Sequence, residues 1–269
     1  MTDHSPVLID TALEMARTPT VQQRVPFDGI GVIAVVHSCV ILPGYNRGML
    51  KALIFDFDGL ILDTETPEYL IWQNIYREQG FELPHDEWGR IIGGYGLSNF
   101  DAAEHLSRLT QGRLDSASLR SRHQLESFSA IQRETVLPGV MDMIHAAQRH
   151  GLKLAIASSS RHDWVDGHAK RLGIFQYFDK VICADDVGVG RTKPNPDLFL
   201  LALNQLQVRK NEAVVFEDSP NGVTAAKRAG IFVVAVPNPV TAKLRIEGAD
   251  LMVTSLSDLP FSALLDKVQ

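Results

Sequence analysis

The sequence predicts an α/β fold in which a mostly parallel sheet has helices on both faces and a small helical domain is inserted after the first strand. Three observations predict it. Short apolar runs recur along the chain with helical stretches between them. Polar clusters follow several of those runs, where open α/β sheets place their ligands. One long stretch, residues 64–136, shows helical periodicity and almost no strand signal, too long for a single crossover.

Taken in order, the first 48 residues carry no clear period, and Pro19, Pro26 and Pro43 break any helix or strand drawn through them. Two readings of this extension stand: residues ahead of a natural start at Met49, or a genuine amino-terminal arm. Residues 51–55, Lys-Ala-Leu-Ile-Phe, form an apolar run with a β-branched and aromatic end and read as a buried strand. In 64–136, Tyr69, Trp72, Ile75 and Tyr76 repeat at helical spacing, as do Ala102, Leu106 and Leu109. The aromatic residues read as that segment's own core. Leu137-Pro138-Gly139 is the expected return hinge. Further strands are expected at 152–157, 180–183, 213–216, 231–236 and 251–253, with helices between them and Gly151, Gly173 and Gly230 at helix ends. The expected division is 1–48 as an extension, 49–63 with 137–269 as the core, and 64–136 as the insertion.

Composition narrows the function classes. At 269 residues and 45% hydrophobic content, the chain is long enough for one sizeable core plus a small domain. The net charge of -6, without a Lys/Arg-rich run, argues against nucleic acid as partner. The apolar stretch at 30–42 is interrupted by His37 and Ser38 and falls short of the roughly 20 residues of a membrane span. It also lacks the small-residue cleavage site of a signal peptide, so neither membrane association nor targeting is expected. Cys39 and Cys183 have no CxxC spacing, which makes a reducing cytoplasm the default, and Cys183 sits in an apolar run as a buried small hydrophobe. No protein partner is predicted.

The chemistry begins at Asp56-Phe57-Asp58-Gly59, directly after the first strand. Residues i and i+2 of an extended stretch point to one side, so Asp56 and Asp58 can address one small volume. Two carboxylates there repel unless a cation, a shared proton or hydrogen bonds compensate. A solvated acidic turn is the plain alternative. Ser158-Ser159-Ser160 follows the next strand and offers hydroxyls and N–H groups for an anion, or an ordinary helix cap. Lys193, beside Pro194, is either a fixed charge for phosphate or a solvated surface lysine. Glu217-Asp218 brings two more carboxylates to the same sheet edge, or another acidic turn. A few carboxylates plus a substrate phosphate suffice for Mg2+.

With all four clusters in order, each after a strand, the chain from Met49 onward resembles the haloacid dehalogenase-like phosphotransferases, in the branch of β-phosphoglucomutase and small sugar-phosphate phosphatases. The resemblance implies a Rossmann-like core with a helical cap inserted between the first two strands. It makes Asp56 the nucleophile that forms an aspartyl-phosphate, and Asp58 the general acid and then base. Mg2+ would be held by the Asp56 carboxylate, the Asp58 carbonyl and Asp218, with Glu217 as ligand or through water. Ser158, the backbone N–H of Ser159 and Lys193 would hold the phosphoryl oxygens.

Asp58 argues against dehalogenation, since the dehalogenases of this superfamily lack a carboxylate two residues after the nucleophile. No lysine occurs in 64–136 for a Schiff base, which removes phosphonate hydrolysis. In the mutase a histidine lies twelve residues after the nucleophile; here that position is Glu68. The candidate cap loop, Ile92-Gly93-Gly94-Tyr95-Gly96-Leu97-Ser98-Asn99, has no arginine or lysine to grip a second phosphate, although Arg90 lies just outside it. The expectation is therefore hydrolysis of a small phosphorylated metabolite, a sugar or polyol phosphate, with Glu65 meeting the leaving group. A mutase and a phosphate-binding module without turnover are the alternatives.

Overall fold

The computed structural model describes residues 49–89, 91–92 and 100–268. The extension 1–48 with Cys39, together with Arg90, the glycine-rich loop at 93–99 and Gln269, lies outside the described residues.

Among the described residues, six strands form one parallel sheet: β1 (Ala52–Phe55), β2 (Lys153–Ala157), β3 (Lys180–Ile182), β4 (Ala213–Glu217), β5 (Phe232–Ala235) and β6 (Leu251–Met252), in the order β3-β2-β1-β4-β5-β6. All pairings are parallel, with Phe55 beside Ile156 on one side and Phe216 on the other. Each strand lies within a residue or two of its expected place. Cys183 is a correction: it caps the following helix rather than extending β3, and its thiol is free and buried.

Alternation along the strands builds two cores. Leu53, Phe55, Leu154, Ile156, Val214 and Phe216 face one side, and Ala52, Ile54, Ala155, Ala157 and Val215 the other. Both faces are therefore apolar, as a parallel sheet requires.

Between β1 and β2 run α1 (Glu65–Glu78), α2 (His85–Gly89), α3 (Ala102–Leu109) and α4 (Ser116–Ile131). Asp101 and Asp115 cap α3 and α4 by accepting from the backbone N–H groups of Glu104 and Ser118. Tyr69, Trp72, Ile75 and Tyr76 are buried on α1, and with Trp88, Ala103, Leu106 and Leu119 they form a third cluster. Leu109 departs from its expected stripe: it is 37% exposed, and Ala103 is buried on α3 instead. The chain leaves and returns side by side. Leu62 bridges Val136, and the N–H of Leu137 donates to the carbonyl of Ile61 at 2.9 Å.

The remaining helices cover the sheet: α5 (Val140–Arg149), α6 (His162–Arg171), α7 (Ala184–Val187), α8 (Asp197–Leu206), α9 (Pro220–Ala229) and α10 (Phe261–Val268). Residues of α5, α6 and α10 join the first core, and those of α8 and α9 the second. No helix among the described residues is long and apolar enough to cross a membrane.

Candidate active site

The acidic pair, the serine turn and Glu217-Asp218 stand at or just beyond the carboxyl end of a strand, and Lys193 lies in the loop between α7 and α8. Asp56 directly follows β1, is buried, and donates its N–H to the Phe216 carbonyl at 3.0 Å. Gly59 then turns the chain at φ +78°, where a Cβ would overlap the Asp218 carboxylate. Only glycine suits this position.

Lys193 is 1% exposed rather than a surface lysine. Its ammonium donates to Asp56 Oδ1 and meets Glu217 Oε1 at 2.6 Å, joining the first and last clusters. Glu217, at the end of β4, turns its other oxygen back onto its own loop. There Oε2 accepts from the N–H groups of Asp218 and Ser219 and from the Ser219 hydroxyl at 3.1–3.3 Å. Ser219 also caps α9 by accepting from Gly222 N–H at 3.1 Å.

Asp218 is buried. Its Oδ2 accepts from Asn238 Nδ2 at 2.7 Å, while Oδ1 has no hydrogen-bond partner among the described residues. Carboxylate oxygens of Asp56, Glu217 and Asp218 all lie within 4.8 Å of one another.

Three buried carboxylates share one ammonium, and the electrostatics register the imbalance. Burial, then repulsion from Glu217, pushes the Asp56 carboxyl up to about 8. Burial, then Asp56 and Glu217, holds Asp218 well above the usual carboxylate range. For Lys193, burial works downward but Asp56 and Glu217 outweigh it and raise its pKa. An all-oxygen donor set with one buried lone oxygen fits a hard divalent cation such as Mg2+.

Asp58 sits beside this group. Trp164 Nε1 donates to its Oδ1 at 2.7 Å, and the hydroxyls of Ser160 and Ser158 reach Oδ2 at 2.7 and 3.3 Å. Ser158 is buried and accepts from Ser160 N–H at 3.0 Å, while Ser159 lines the same cavity. That cavity measures about 430 Å3 and runs from Asp56 and Lys193 past Trp164 to Thr64, Glu65 and Glu68 on the helical insertion. Glu65 and Glu68 are half-buried there. Burial, then repulsion from Asp58, lifts Glu68 to about 7; burial, then Glu68, lifts Glu65 well above its ordinary range. A larger cavity of about 760 Å3 adjoins along Ser159, Ser160 and Trp164, but reaches neither Asp56 nor Lys193.

Sequence reasoning missed Trp164 and Asn238 as parts of this site, named Ser160 only within the serine turn, and treated Glu68 only as a departure from the mutase. Trp164 had a signal: it stands in the first turn of α6, directly after the serine turn.

Compared with known proteins, residues 53–236 match a family model described as haloacid dehalogenase-like hydrolase. The chain is 44% identical over 218 residues to "Putative phosphatase YhcW" of Bacillus subtilis, covering 81% of this chain and 97% of that protein. It is 32% identical over 186 residues to fructose-1-phosphate phosphatase YqaB of Escherichia coli, covering 68% and 95%. Among solved structures, a "putative beta-phosphoglucomutase" from Thermotoga maritima superposes with a TM-score of 0.63 at 27% identity, covering 82% of this chain and all of that one.

Proposed function

The chain belongs to the haloacid dehalogenase-like hydrolase family, and from that membership we propose a magnesium-dependent phosphatase that hydrolyses a small sugar or polyol phosphate through an aspartyl-phosphate on Asp56. The observation that carries the reading is the division of labour between two aspartates two residues apart. Asp56 is buried against Lys193, while Asp58 is held aside by donors from Trp164 and two serines.

In the first half-reaction an Asp56 oxygen forms a bond to phosphorus as the bond to the leaving oxygen breaks. Asp58 delivers its proton to that oxygen. In the second, Asp58 takes a proton from water, which attacks the same phosphorus and frees Asp56. Asp56, Glu217 and Asp218, with the Asp58 carbonyl, would hold Mg2+, whose charge would offset the repulsion between nucleophile and substrate. Lys193, Ser158 and the Ser159 N–H hold the phosphoryl oxygens.

Residues 49–63 and 137–269 act in this reading as the catalytic core, and 64–136 as a cap whose closure excludes water and chooses the substrate. Glu65, from the cap side of the cavity, meets the leaving group. A cytoplasmic location goes with this reading.

The mutase alternative keeps the same core. Against it stand Glu68 at the position of the mutase histidine and a 44% identical relative named as a phosphatase. A non-turnover phosphate module would have no use for a leaving-group acid, which Asp58 provides. The test is phosphate release from p-nitrophenyl phosphate with and without Mg2+, then a panel of sugar and polyol phosphates with a check for glucose 1-phosphate isomerisation. Release that needs Mg2+ and disappears in Asp56→Asn is expected. Full activity in Asp56→Asn overturns the nucleophile, and isomerisation without hydrolysis restores the mutase.

A further inference from the structure

An acid that becomes a base must pass a proton through one carboxylate, and the two oxygens of Asp58 are held by different kinds of donor. We propose that Trp164 is a positioning residue for this step: its indole N–H keeps Oδ1 of Asp58 a permanent acceptor, so that Oδ2 is the oxygen that carries and exchanges the proton. The proposal rests on the reading of Asp58 as acid and base.

An indole N–H donates and never accepts. At 2.7 Å it favours an Oδ1 that bears no proton, because the hydroxyl oxygen of a carboxylic acid is the weaker acceptor. Oδ2 instead meets the Ser160 and Ser158 hydroxyls, at 2.7 and 3.3 Å, and a hydroxyl either donates to a carboxylate or accepts from a carboxylic acid. Either state of Oδ2 therefore keeps its partners. As the bond from phosphorus to the leaving oxygen breaks, that oxygen's electron pair takes the proton from Oδ2, and water later returns one to the same atom.

The ring that sets this arrangement is itself held. Trp164 packs edge-on to His168 with centroids 4.3 Å apart. Nδ1 of His168 accepts from the Arg171 guanidinium at 3.2–3.3 Å, which assigns the ring proton to Nε2. Arg171 in turn donates to the carbonyls of Ile131, Gln132 and Glu134 at 3.0–3.3 Å, where α4 ends and the chain returns toward the sheet. Helix α6 thus carries the Asp58 clamp in its first turn and a tie to the end of α4 and the turn after it in its last.

The test compares kcat/KM with Mg2+ across aryl phosphates from p-nitrophenyl to phenyl, for the wild type, Trp164→Phe, Asp58→Asn and the double variant. Phenolate needs protonation as it leaves far more than nitrophenolate does. Trp164→Phe is expected to lose about tenfold on phenyl phosphate and several-fold less on p-nitrophenyl phosphate, and to add nothing in the Asp58→Asn background. Trp164→His, which restores a ring N–H, is expected to recover part of the phenyl phosphate rate. Equal losses across the series, a full further loss on top of Asp58→Asn, or no loss at all overturns the proposal. A wild type that releases phosphate from no aryl ester overturns the phosphatase reading, and this one with it.

Discussion

Asn238 Nδ2 donates to Asp218 Oδ2 at 2.7 Å and thereby leaves Oδ1 as the oxygen without a hydrogen-bond partner among the described residues. Asn238 is itself locked: its own Oδ1 accepts from the N–H groups of Val240 and Thr241, at 2.9 Å each. A side chain that orients a metal ligand typically changes affinity by about 10- to 100-fold when removed. Asn238→Ala is expected to raise the Mg2+ concentration for half-maximal activity by about tenfold. Titrating the metal-free protein by calorimetry checks that the effect is on binding; unchanged Mg2+ affinity would refute it.

Gly222, in the first turn of α9, has no Cβ because the Glu217 carboxylate occupies that space. Overpacking a buried site costs about 1–3 kcal/mol. Gly222→Ala should therefore lower the melting temperature and, by displacing Glu217 from Lys193, lower kcat more than it raises KM. Steady-state kinetics with a thermal melt decides this.

Raised carboxyl pKa values give the metal-free protein a definite pH response. Asp56 lies at about 8 in the folded chain against 3.8 as its ordinary value, with burial the main cause and Glu217 next. Between those pH values the folded state binds more protons than the unfolded one, so stability falls as pH rises. Asp218, raised chiefly by burial, adds to the same slope. Melting in EDTA is expected to fall from about pH 5 to about pH 8, and Mg2+ to restore more at the higher pH. A flat or rising profile without metal would contradict the assignment.

Glu65 and Glu68 present two half-buried carboxyls to the cavity opposite Asp56. Glu65→Gln keeps the shape and removes the charge, and is expected to reorder a panel of phosphate monoesters by several-fold in kcat/KM while p-nitrophenyl phosphate retains its Mg2+ dependence. An unchanged ranking would remove Glu65 from substrate choice.

Much of this architecture was readable because burial on both faces leaves a blunt mark. Val214, Val215 and Phe216 are all buried, and such runs name a parallel strand without need of alternation. Asp56, Ser158 and Glu217-Asp218 are legible because each stands where a strand ends, whereas Lys193 lies beyond α7 and is marked instead by Pro194 and the helix that follows. Trp164 is not legible, because its partner Asp58 lies 106 residues earlier and a helix-face tryptophan reads as packing. Asn238 was missed for a similar reason: its loop carries Pro237 and Pro239 and looks like a turn, and only the fold brings it to Asp218. Leu109 was misplaced because a three-residue step fits a helical stripe as well as its rim.

The paired backbones at Leu62 and Val136 have a consequence for the history and engineering of this chain. Because exit and re-entry run side by side, the two ends of the helical stretch are fixed at one place beside the sheet whatever its length, while Val240 and Leu244 pack into its apolar cluster and Arg171 holds the end of α4. On the proposed reading of 64–136 as a cap, a different helical segment spliced at those two residues is expected to change substrate choice only if it re-forms those contacts.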